Sequence, residues 1–128
     1  MTTTDAATDQ RHRQQLAVAA LAHLLTLPAP DCLTWDIRGD GTIHGQLPAG
    51  SPDATRVRLA QWAAILEEPQ WSYRVYTVAP DHAHLSVAGT FLGRHVEIWD
   101  GIDAVPEDQV AELTTPPQPA GQDEAVTA

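Results

Sequence analysis

Charge in this chain is segregated, and that confines what can fold. Residues 100–128 hold seven acids and no base, and residues 1–9 add Asp5 and Asp9. Residues 10–99 set eight acids against all seven arginines. The net charge of −10 therefore belongs to the ends, while the middle is nearly neutral. A neutral middle disfavours both an acidic nucleic-acid mimic and a basic nucleic-acid binder. With 128 residues there is room for one core. The expected organisation is a flexible N-terminus at 1–9, one domain at 10–113, and a disordered, acidic, proline-rich tail at 114–128.

Punctuation and periodicity divide the middle. Thr8 or Asp9 can cap a helix that ends near Leu27, before Pro28 and Pro30, with Leu16, Ala20, Leu24 and Leu27 as its apolar stripe. Leu33, Trp35 and Ile37, then Ile43, Gly45 and Leu47, alternate with polar residues. A Gly39-Asp40-Gly41 loop pairs Ile37 with Ile43 and Asp36 with His44. Ser51-Pro52-Asp53 opens a second helix, expected to run to about Glu68 and to bury Val57, Ala60, Ala64 and Ile65, flanked by Leu59, Trp62 and Leu66. Three strands follow, Trp71–Val78, His82–Phe91 and Arg94–Trp99, joined by turns at Pro80-Asp81 and Leu92-Gly93. A short helix is expected near Asp103–Leu113.

This order, α-β-β-α-β-β-β, implies an α+β two-layer sandwich. Its expected form is a five-stranded antiparallel sheet with two main helices on one face. With tight turns throughout, one sheet face carries Tyr76, Val78, Leu85, Val87, Val96 and Ile98. The other gathers Trp71, Tyr73, His95, Glu97 and Trp99 beside small residues. Aromatic anchors among small residues suit an interface. The expected function is a non-catalytic protein-interaction or regulatory module, binding a partner or a second copy of itself through Trp71, Tyr73, His95, Glu97 and Trp99.

Two rivals come from other classes. His95 and Glu97, two residues apart, are the arrangement nearest to an acid–base dyad, which would suit a small-ligand binder or enzyme. Arg11/Arg13 and Arg56/Arg58 at helix starts would suit a nucleic-acid-associated regulator of a mobile element, although dispersed arginines make nucleic acid an unexpected partner. No catalytic residues are assigned. No cofactor is expected, because phosphate-loop, dinucleotide and HExxH signatures are missing from the sequence. His82 and His84 share a strand face, but His95 lies about 20 Å away by strand rise, so no metal is expected. Cys32 is the single cysteine, which fits a reducing cytoplasm. No apolar run is long enough to span a bilayer, so no membrane partner is expected.

The MTTTD start, the LAHLLTLP segment and the AGTFLGRHVEIWDGID strand pair resemble small uncharacterised actinobacterial proteins encoded near mobile elements. The element order also resembles roadblock-type modules and small acidic secretion chaperones. That likeness implies dimerisation or polypeptide binding and no activity.

Overall fold

The computed structural model of the protein describes residues 3–115, with side chains from residue 8 onward. Its elements are α1 (Thr3–Leu24), β1 (Thr34–Ile37), β2 (Ile43–Gln46), α2 (Pro52–Ala63), β3 (Glu67–Val75), β4 (His82–Phe91), β5 (Arg94–Asp103) and α3 (Glu107–Leu113). Helix α1 starts inside the segment expected to be flexible. Of the expected tail, residues 116–128 lie outside the described residues.

The strands form one mixed sheet in the order β1-β2-β5-β4-β3. The expected all-antiparallel sheet is corrected at one seam, because β2 and β5 run parallel. Chain direction explains this. Helix α2, about 18 Å long at 1.5 Å per residue, returns the chain to the end where β2 began. Strands β3, β4 and β5 then alternate, so β5 leaves in the direction of β2 and can join it only in parallel.

Local chemistry accounts for the turns that were legible. In the first hairpin, Ile37 pairs with Ile43 and Asp36 with His44. The Asp40 carboxylate accepts the Thr42 N–H at 2.9 Å, and Gly41 takes φ +88°, a conformation that glycine adopts without a Cβ penalty. Between β4 and β5, Leu92 and Gly93 both have positive φ, 50° and 76°, the geometry of a two-residue type I′ turn. Helix α2 is capped by Ser51, whose Oγ accepts the Ala54 N–H at 3.1 Å, with Pro52 in the first turn.

One turn differs, and it reverses a strand. Strands β3 and β4 pair Val75 with Ala83, Tyr73 with Leu85 and Trp71 with Val87. Residues 77–81 form the loop, instead of the two-residue Pro80-Asp81 turn. The register therefore moves by three, and an odd shift exchanges the two faces of a strand. Trp71, Tyr73 and Val75 join the face of Leu85 and Val87, while Ser72, Arg74 and Tyr76 face the other way.

The core lies between the helices and the face of Ile43, Leu85, Val87, Val96, Ile98 and Ile102. Helix α1 contributes Ala17, Ala20 and Leu24, so its stripe is turned from the expected one and leaves Leu16 exposed. Helix α2 contributes Thr55, Leu59 and Trp62 rather than Val57. Leu59 and Trp62, expected to flank the buried side, form its centre, while Val57 is turned out to solvent. The Trp62 indole N–H donates to the Pro30 carbonyl at 3.0 Å, which ties the α1–β1 connection to α2.

Candidate functional site

Helices cover one face of the sheet, and the opposite face holds a polar cluster built around Glu97. Parallel pairing of β2 with β5 sets His44 beside Glu97. On the other side, antiparallel pairing sets Ala88 beside Glu97 and Ser86 beside Trp99. These small neighbours leave room above the sheet for His84 to reach along β4.

The Glu97 Oε1 lies 3.2 Å from the His44 Nδ1 and 3.9 Å from the His84 Nε2. The Tyr76 hydroxyl meets the His84 Nδ1 at 3.2 Å. The His84 ring stacks on Trp99 with centroids 4.8 Å apart and planes 21° apart. Tyr76, just past the end of β3, and His84, Glu97 and His44 on β4, β5 and β2 thus form a polar line across the sheet. A concavity of about 330 Å³ opens over it, rimmed by Asp36, Arg38 and Arg74.

Electrostatics decide what Glu97 can do. The His84 imidazole, its Nε2 3.9 Å away, comes first in holding the carboxyl below the usual carboxylate range, with burial opposing. His44, its Nδ1 3.2 Å from the carboxylate, and the neighbouring Ser86 add to the lowering. A carboxylate tuned downward is a weak base near neutral pH, because effective general bases titrate close to the working pH. Glu97 therefore suits the fixing of donors and cationic groups better than the role of a base near neutral pH.

The expected contact residues divide between two faces. Glu97, Trp99 and His95 lie on the open face, whereas Trp71 and Tyr73 lie on the helix side. There Trp71 packs against the core, and the Tyr73 hydroxyl accepts the Val105 N–H at 3.0 Å. The tight turn between β4 and β5 sets Ser86 opposite Trp99 and Thr90 opposite His95, whereas the longer β3–β4 loop moves β3 to the other register. His95 is exposed and lines a neighbouring hollow of about 440 Å³ with Thr42, Gln70 and Thr90. Glu97 is engaged by His44 and His84, not by His95. The Asp36 carboxylate takes the Arg38 guanidinium at 3.1 Å, while His44, opposite Asp36 in register, turns to Glu97.

Sequence reasoning missed His44, His84 and Tyr76 as partners of one cluster. The β2–β5 pairing that brings in His44 is long-range and has no local signal. The signal for Tyr76 was present in the strand before it. Trp71, Tyr73 and Val75 alternate with Ser72 and Arg74, and that alternation alone places Tyr76 on the polar side.

Among the described residues, no group of three His, Cys, Asp or Glu side chains is arranged to hold a metal ion. None of the described helices is long and apolar enough to cross a membrane. Cys32 is a poor nucleophile, because burial, with Asp31 adding, pushes its thiol up to about 12. Comparison with protein families, curated proteins and solved structures returned no match.

Proposed function

We propose that this protein is a non-catalytic binding module of the cytoplasm whose open sheet face receives a partner protein. The observation that carries this reading is the line from Tyr76 through His84 and Glu97 to His44, with Trp99 stacked beneath His84. Tryptophan, tyrosine and arginine are the residue types that dominate binding energy at protein interfaces. Here Trp99 lines the concavity half-buried, Tyr76 is half-buried at one end of the line, and Arg38 and Arg74 stand at the rim. Mutual contacts hold the central side chains in place before a partner arrives, which lowers the ordering cost of association.

The test compares wild type with Trp99→Ala and Arg74→Glu in quantitative capture from native extract, alongside melting curves. The expected result is loss of the same captured protein in both variants, with folding retained. Undiminished capture by folded variants would refute the assignment of the face.

The concavity beside Glu97 favours a second reading, a site for a small polar ligand with cationic or donor groups. A rise in melting temperature with one metabolite, lost in Glu97→Gln, would support it. No shift across a broad panel would refute it.

A further inference from the structure

The geometry points to a second docking site, on the opposite side of the sheet, where edge strand β3 meets α3 and an extended basic segment of a partner protein can add as a sixth strand. Strand β3 ends the sheet. Along an antiparallel ladder, hydrogen-bonded and non-hydrogen-bonded pairs alternate. The Tyr76 N–H donates to the His82 carbonyl at 3.0 Å. Arg74 and Ser72 therefore direct their backbone groups at β4, while Trp71, Tyr73 and Val75 direct theirs away from the sheet.

Exposed edges are normally blunted by proline, bulges or charge. In β3 those devices sit at its start, where Pro69 and the irregularity between Glu67 and Gln70 lie. The stretch from Trp71 to Val75 has none on its helix side. Beside it runs a groove of about 700 Å³, lined by Tyr73, Val75, Val105, Val110, Ala111 and Glu107. An unpaired edge next to an apolar groove walled by a helix is the arrangement that captures extended peptides by strand addition.

Charge selects the occupant. Glu107 lines the groove, Asp108 and Glu112 stand on the same helix, and the chain carries a net charge of −10. A second copy would bring like charge to this edge. The fitting partner is an extended segment with apolar residues at alternate positions and one lysine or arginine on that same side, directed at Glu107.

The experiment uses the full chain and the probe acetyl-TVTLTKT-amide, whose valine, leucine and lysine share one strand face. Binding is read by calorimetry and solution mass by light scattering. Val75→Pro removes an N–H that faces away from β4, a position where an edge strand tolerates proline. It is expected to weaken the probe about tenfold, the equivalent of one lost hydrogen bond. Glu107→Lys, an exposed change that leaves the fold intact, is expected to weaken it about threefold and to favour a probe with glutamate in place of lysine. Equal affinity for wild type and both variants would overturn the proposal as unspecific attraction. So would no binding up to about 1 mM. A wild-type dimer that Val75→Pro dissolves would overturn it in favour of a second copy. Neither variant touches Trp99 or Glu97, so failure here is separate from failure of the open-face reading.

Discussion

Thr55→Val tests how a buried carboxylate is held in this core. Asp100 is 2% exposed and Thr55 is 0% exposed, and the Thr55 hydroxyl donates to the Asp100 Oδ2 at 2.7 Å. Valine keeps the shape and deletes the donor, so no cavity term enters. A hydrogen bond to a charged acceptor contributes about 1.5–3 kcal/mol, and short O–H···O⁻ contacts are the strong ones. The expected loss at pH 7 is about 2 kcal/mol, or a fall in Tm of about 8 °C for a domain of this size.

The pH dependence supplies the sharper check. Burial raises the Asp100 carboxyl above its ordinary value, and the Thr55 hydrogen bond pulls it back down. With a raised folded value, Asp100 favours the folded state at low pH, and that contribution is lost as pH rises from 3.8 through the folded value. Removing Thr55 raises the folded value further. The loss should therefore be largest at pH 7 and shrink below about 1 kcal/mol at pH 3. Urea denaturation at both pH values measures this, and Asp100→Asn should flatten the difference. An equal loss at both would refute the reasoning, because it would show that the hydroxyl does not discriminate carboxylate from acid.

Four further outcomes are expected. Leu92→Asn should stabilise by about 0.5–1 kcal/mol in thermal melts, because Leu92 is 62% exposed at φ 50° in a turn that asparagine suits. Gly45→Ala should cost about 1–3 kcal/mol, since its Cβ would stand 2.8 Å from the Cys32 Sγ and from the Trp35 ring. For Glu97, stability present at neutral pH is lost as pH falls from 4.5 through the lower folded value, so Glu97→Gln should flatten the acid limb of a stability–pH curve. Cys32 in the folded chain should react with a thiol-exchange reagent at pH 8 about a hundredfold or more slowly than in urea-unfolded chain, given a thiol pushed up to about 12.

What could be read in advance depended on how far apart the paired residues lie. The hairpins closed by Gly39-Asp40-Gly41 and Leu92-Gly93 were legible because turn chemistry fixes register locally. The β3–β4 register was not, because residues 77–81 could close either a tight turn or a five-residue loop. The conflict was visible in Trp71-Ser72-Tyr73-Arg74-Val75, whose alternation favours aromatics inside, and the assumed turn overrode it. The parallel seam was not legible either: α2 as a return path sets the direction of β5, but no local signal says that β5 pairs with β2. The meeting of His44 and Glu97 rests on that seam, so no window of sequence around either residue could reveal it.

The parallel seam also sets a timetable. Ile43 pairs with Val96, more than fifty residues later in the chain. At about 5–20 residues per second of synthesis, the first hairpin waits several seconds for the strand that completes it. Until β5 emerges, the inner edge of β2 has no neighbour, and Ile43 and Leu47 have no Val96 or Ile98 to pack against. Contacts of this sequence separation slow folding, because loop-closure entropy is spent before the contacts form. The last strand made is thus the one around which the earlier elements assemble.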